Sequence, residues 1–208
     1  MFKNFLSLAG AEIAAKLLTF AAFAYLARVA GPDGFGYIEF AAAAVMCAGL
    51  IVEQGFNPFG AREIAKTPER TEALVSEIVL VRMLLAIGLY VALLAFALAV
   101  GRAAVQTRLL LVYGLSLLAM PLFLQWVFQG HDRMQTVAAI QLVRQLVFAV
   151  VVFALVRDAS QIWMVGLAET FGATSAAMIG FWLYRRQLNG TLTLRWRFSS
   201  QLLREGAT

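Results

Sequence analysis

The sequence predicts an all-α, polytopic membrane protein: a helical bundle of six transmembrane helices. Two observations carry this reading. First, 62% of the 208 residues are hydrophobic and only 14% are charged, against roughly 45–50% and about 25% in a soluble domain. With a mean hydropathy of +0.79, the chain has more apolar surface than one core can bury, so lipid must solvate much of it. Second, the apolar residues fall into six stretches near 5–28, 36–56, 78–100, 105–128, 134–157 and 160–184, each close to the ~20 residues a helix needs to cross a bilayer.

The first stretch mimics a secretory signal, because Ala22-Phe23-Ala24 looks like a cleavage site. A signal core carries no charge, whereas Glu12 and Lys16 interrupt this one and only Lys3 precedes it, so it reads as a retained span. Gly31-Pro32-Asp33-Gly34-Phe35-Gly36 then marks a tight reversal into the second span. No Gly-Lys-Ser/Thr follows, so it is not a phosphate-cradling loop.

Residues 57–77 form the one long polar connection. Within it, Gly60–Lys66 is short and charged, and is expected to lie on the membrane surface. Thr67-Pro68 reads as an N-cap and first helical position, opening a helix that runs into the third span. Pro121 removes a backbone donor inside the fourth span and predicts a kink. Ala168, Gly172, Ala176 and Gly180 repeat a small residue every fourth position of the sixth span, which predicts a close internal helix–helix seam. Trp126, Trp163, Trp182 and Trp196 fall near span ends, where aromatic anchors gather. Cys47 reads as a small packing residue within the second span.

The net charge of +5 does not indicate nucleic acid, because the basic residues lie between apolar runs and form no continuous face. With the amino terminus inside, the inner segments hold Lys3, Arg62, Lys66, Arg70, Arg133, Arg185, Arg186, Arg195, Arg197 and Arg204. The outer segments hold Arg28, Arg102, Arg108 and Arg157, so ten basic residues face four. This positive-inside bias predicts that both termini are cytoplasmic. One cysteine and one histidine offer neither a disulfide framework nor a metal cluster, and no cofactor is implied. His131-Asp132 is the only acid/base pair in a loop, too little for an enzyme site.

A charge within a span costs about 2.5–3.5 kcal/mol on insertion scales and usually faces protein or water. Glu12 and Lys16 lie in the first span, Glu39 and Glu53 toward the ends of the second, Arg82 early in the third, Arg144 in the fifth and Glu169 in the sixth. Two readings are open. Glu12–Lys16 and Arg144–Glu169 could be structural ion pairs, the former four residues apart on one helix face. Alternatively, Lys16, Arg82, Gln141, Arg144 and Gln145 line a hydrated pathway for a polar or anionic cargo, with Glu12 and Glu169 as coupling or pairing groups.

Three stretches, in this order, resemble the polysaccharide or O-antigen flippases of the superfamily that includes multidrug-and-toxin extruders. They are Leu26-Ala-Arg-Val-Ala-Gly-Pro-Asp-Gly-Phe-Gly-Tyr37, Glu53-Gln-Gly-Phe with Gly60-Ala-Arg-Glu-Ile-Ala-Lys66, and Gln125-Trp-Val-Phe-Gln-Gly-His-Asp-Arg-Met134. The resemblance implies a transporter moving lipid-diphosphate-linked oligosaccharide across the bacterial inner membrane through a cationic cavity, which Lys16 and Arg144 would line, with Arg82 lower. It further implies a two-lobe fold of which residues 1–190 are the amino-terminal lobe and 191–208 a cytoplasmic tail approaching a second lobe. The partner lobe would come from a homodimer or a separate chain. A non-functional truncated remnant and a membrane accessory or scaffold subunit are the competing expectations.

Overall fold

A computed structural model describes residues 2–100, 104–188 and 190. Those residues form a helical bundle containing five helices long and apolar enough to cross a membrane. The elements are α1 (Phe2–Glu53), α2 (Phe56–Lys66), α3 (Thr71–Val100), α4 (Ala104–Gly114), α5 (Ser116–Ala119), α6 (Gln125–Gly130), α7 (Met134–Leu155) and α8 (Met164–Leu188).

α1 supplies two crossings. Its 52 residues would reach about 78 Å if straight, more than twice the ~30 Å hydrocarbon core. The helix breaks at Gly31, where φ is 67° and ψ is 178°, a region that essentially only glycine occupies. Phe23 and Phe35, which about 18 Å of unbroken helix would separate, have ring centroids 6.3 Å apart. The chain therefore folds back on itself, and the expected reversal is tighter than Gly31–Gly36: helix resumes at once with Pro32, whose fixed φ suits a first helical position.

The 57–77 connection holds the amphipathic α2, which keeps Phe56, Gly60 and Ile64 buried. The third span starts earlier than position 78, through a 3-10 turn at Pro68–Arg70 that leads into α3. Thr67 makes no side-chain cap. Its backbone N–H instead closes α2 on the Glu63 carbonyl at 2.9 Å.

The fourth span is more deeply broken than a kink. It runs as α4, α5, a 3-10 turn at Met120–Leu122, and α6, because Pro121 has no N–H to continue the ladder. The sixth span begins after a 3-10 turn at Ala159–Gln161, where Asp158 accepts from the Ser160 N–H at 2.8 Å. It extends to Leu188, with Arg185 and Arg186 in the last turn, where cations complement the helix dipole.

The small-residue seam of α8 is internal. Ala168, Ala173 and Ala176 are buried, and a Cβ on Gly172 would stand 3.0 Å from the Arg144 carbonyl oxygen of α7. Two expectations are corrected. Trp126 is 1% exposed and packs inward against α2, so it anchors protein rather than the lipid interface. Cys47 is exposed on the same outward face as Met46 and Leu50, so it lies on the surface of the bundle and not in its packed interior.

The chain's connections sort to two ends. At one, Thr71 Oγ1 lies 3.3 Å from His131 Nε2 and Arg133 donates to Gln187 at 2.8 Å. At the other, Tyr25 donates to the Val156 carbonyl at 2.8 Å, and Ile162 packs against Gly34. The first end gathers Arg62, Lys66, Arg70, Arg133, Arg185 and Arg186, the second Arg28, Arg108 and Arg157. Arg102, Trp196, the tail 191–208 with Arg195, Arg197 and Arg204, and the Lys3 side chain lie outside the described residues.

Candidate functional site

A groove of about 290 Å³ opens between the first leg of α1 and α7. Glu12, Ala15, Lys16 and Thr19 line one wall, and Met134, Val137, Ala138, Gln141 and Gln145 the other. Helical spacing makes both stripes: 12, 16 and 19 share one face of α1, and 134, 138, 141 and 145 share one face of α7. Lys16 Nζ stands 3.3 Å from Glu12 Oε1, with side chains 76% and 65% exposed. The pair therefore projects into the open groove rather than into packed protein. Gln141 and Gln145 add amide donors and acceptors opposite it. The groove starts at the basic end, at Met134, and reaches Gln145 at the middle of α7.

Arg144 faces elsewhere. Three residues beyond Gln141, it turns toward α8 and forms an ion pair with Glu169. Its guanidinium also stacks 5.3 Å from the Phe123 ring centroid. The pair is partly buried, with side chains 25% and 14% exposed, and Gly172 gives Arg144 its close approach to α8. The polar strip of Gln141, Arg144 and Gln145 thus divides between the groove and the α7–α8 seam.

Arg82 is separate from both and fully buried. It donates to Asn57 Oδ1 at 3.1 Å and to the Met120 carbonyl at 3.0 Å, and lies 3.8 Å from Glu53 Oε1. Pro121 deprives the Leu117 carbonyl of its usual donor, and the Met120 N–H takes that place; Arg82 adds a second donor to the Met120 carbonyl, which also accepts from the Phe123 N–H at 3.0 Å. Breaks of this kind persist in membranes only where neighbouring groups satisfy the freed backbone. Arg82 ties the end of α1, the start of α2 and the broken helix together.

Thr19, Asn57 and Phe123 were not anticipated from sequence. Thr19 had a signal, since it extends the Glu12–Lys16 stripe by three residues. Asn57 and Phe123 had none, because they matter only through the distant arginines they meet. Among the described residues no group of three His, Cys, Asp or Glu side chains could hold a metal ion.

The fold and these buried and groove-facing charges define a multi-pass helical membrane protein. The chain matches the family model described as polysaccharide biosynthesis protein over residues 1–208, and it belongs to that family. Two relatives are provisionally named O-antigen transporters. The one from Shigella dysenteriae is 27% identical over 199 residues, covering 92% of this chain and 49% of the relative. The one from Escherichia coli (strain K12) is 23% identical over 180 residues, covering 85% and 43%. The chain thus spans about half the length of these relatives. No solved structure matches it.

Two of the family-like stretches pack directly on each other. A Cβ on Gly130 would stand 2.8 Å from the Ala61 carbonyl oxygen and 2.8 Å from Ile64 Cβ. At the other side of this contact, one on Gly60 would meet Trp126 Cε3 at 2.4 Å.

Proposed function

We propose that this chain is one lobe of a transporter that moves a lipid-linked oligosaccharide from the cytoplasmic to the outer leaflet of the bacterial inner membrane. The observation that carries the reading is the groove between α1 and α7. It sets a lysine–glutamate pair against two glutamines on an otherwise apolar, membrane-facing bundle. Lipid would leave those groups unsatisfied at several kcal/mol, so a polar ligand, water or a second lobe must face them. The family and the relatives' names support a glycan precursor as cargo.

In this reading the basic end is cytoplasmic. A headgroup enters the groove there, and Lys16 offers its ammonium to the carrier diphosphate while Gln141 and Gln145 hold sugar hydroxyls. The volume of about 290 Å³ falls just below the range of ligand pockets, roughly 300–1,000 Å³, as expected of one wall of a shared cavity. A second lobe closes the other side, supplied by further sequence in the same polypeptide, a separate chain or a second copy. Two copies would pair about an axis along the membrane normal.

The test introduces variants at the native locus, so that any second lobe is present, and measures glycan export. Lys16→Ala combined with Gln141→Ala should cut export at least about tenfold, the scale of one lost charged contact; wild-type export would refute the assigned role. Arg144→Ala should also fail. The exchange Arg144→Glu with Glu169→Arg then separates roles: recovery of export assigns that pair to structure, and continued failure with normal folding assigns Arg144 to the cargo.

A further inference from the structure

One side of α8 faces outward and ends in two arginines. Phe171, Met178 and Trp182 are all more than half exposed, and steps of seven and four residues keep them on one side of the helix. Arg185 and Arg186 continue that side at the basic end, seven residues beyond Met178 and four beyond Trp182. The hydroxyls between Phe171 and Met178 are turned back on the helix itself. Thr174 donates to the Thr170 carbonyl at 2.7 Å and Ser175 to the Gly172 carbonyl at 2.8 Å, as contact with hydrocarbon requires. After α8 the chain leaves on another side. The Gly190 N–H meets the Tyr184 carbonyl, and Tyr184 lies about 160° round the helix from Trp182.

We propose that this face binds an anionic glycerophospholipid of the surrounding membrane, with its phosphate held by Arg185 and Arg186 and an acyl chain laid along Trp182 and Met178. The observation that points to this ligand is the direction of the two arginines. At a membrane edge, long cationic side chains ordinarily snorkel toward water. Here each leans back one turn, toward the apolar part of the helix. The Arg185 guanidinium carbon lies 5.9 Å from the Phe181 ring centroid, and that of Arg186 lies 5.1 Å from the Trp182 ring centroid. Stacking on a ring occupies the flat face of a guanidinium and leaves its in-plane N–H groups open to a pair of phosphate oxygens. Interfacial tryptophans sit at headgroup level in a bilayer, the level at which lipid phosphates lie. The two cations are therefore held at the depth of a phosphate instead of beyond it. Basic sites at the ends of spanning helices suit anionic headgroups; a zwitterionic headgroup brings its own cation and gains less.

Such a lipid would fix the tilt of α8 against the leaflet at the basic end, since interfacial anchors of this kind set helix tilt. The site stands independently of what the groove carries, because no α8 residue lines the groove.

The test titrates the full-length protein in mild detergent with phosphatidylglycerol and, separately, with phosphatidylcholine of the same acyl chains. Native mass spectrometry counts the lipid-bound species. One phosphatidylglycerol should bind about tenfold more tightly than phosphatidylcholine. Arg185→Gln with Arg186→Gln should remove that preference, at about fivefold per arginine. Trp182→Leu keeps both charges and gives an independent reading: it should weaken the phosphatidylglycerol complex about threefold, the scale of an exposed cation–π contact. Arg62→Gln with Arg70→Gln takes two exposed charges from the same end of the bundle and should leave the preference unchanged. Four results would overturn the assignment: equal binding of the two lipids, an equal loss in the Arg62 and Arg70 control, a loss produced by Lys16→Ala in place of the α8 variants, or a species that carries a second polypeptide and no lipid.

Discussion

Gly130→Ala is the sharpest probe of how the surface helix α2 is held to the bundle. The added Cβ would lie 2.8 Å from the Ala61 carbonyl oxygen, 2.8 Å from Ile64 Cβ and 2.9 Å from Ile64 Cγ2. Ordinary contact begins near 3.4 Å, so α2 must recede by about half an ångström. One of these atoms is backbone and another is a Cβ, so no rotamer change relieves the clash. Overpacking of this kind costs about 1–3 kcal/mol. The restricted unfolded chain returns about 0.4–1 kcal/mol, leaving a net destabilisation of roughly 1–2 kcal/mol. Gly88→Ala is the matched control: nothing lies within 4 Å of its Cβ, and it sits within α3, so the same change should stabilise by about 0.5–1 kcal/mol. Unfolding in mixed detergent micelles, with SDS as denaturant, compares the two. If both variants shift the midpoint in the same direction, the packing of α2 on α6 described above is wrong.

Three further outcomes are expected. Gly31→Ala places a side chain at φ 67° and should cost about 1–3 kcal/mol, read in the same titration; an unchanged midpoint would show that the reversal does not need this backbone geometry. Arg82→Leu removes two intramembrane hydrogen bonds, typically about 0.6 kcal/mol each and at most about 1.7, so a loss of roughly 1–3 kcal/mol is expected, and Asn57→Leu on that background should add little because the partner is already gone. His131 is held below its ordinary value of 6.5 by burial and then by Arg133. The unfolded state therefore binds its proton more readily, so this residue's contribution is intact above about pH 6.5 and falls away in more acid solution. His131→Gln should flatten that acid slope in a pH series of unfolding midpoints, and an identical slope would remove the histidine from the account.

Much of the architecture is written in patterns that local chemistry enforces. Pro121 had to interrupt the fourth span, and Gly31-Pro32 had to end a helix and begin another. The four-residue repeat from Ala168 to Gly180 had to seek a close neighbour, which proved to be α7. The burial of Trp126 and the outward face of Cys47 were not legible. In lipid, residues facing the bilayer and residues facing the core are equally apolar, so composition cannot say which way a side chain points. The division of Gln141, Arg144 and Gln145 was half legible: their spacing separates 144 from the other two by some 60–100° around the helix, but only the position of α8 shows which neighbour each direction meets. The surroundings of Arg82 were not legible either, because one of its two hydrogen-bond acceptors is a backbone carbonyl, which no residue type announces.

The reversal at Gly31 also sets how the lobe can move. A six-residue loop would give its two helices a dozen soft torsions and near-independence. A single non-helical residue leaves one pair, so the legs of α1 behave as a stiff fork. The first leg carries Lys16 at the groove, and the second ends at Glu53, beside the Arg82 clamp on the broken helix. A tilt of the first leg that widens or narrows the groove is therefore passed to the second leg with only the two torsions of Gly31 to absorb it, which couples the groove to that clamp through the backbone.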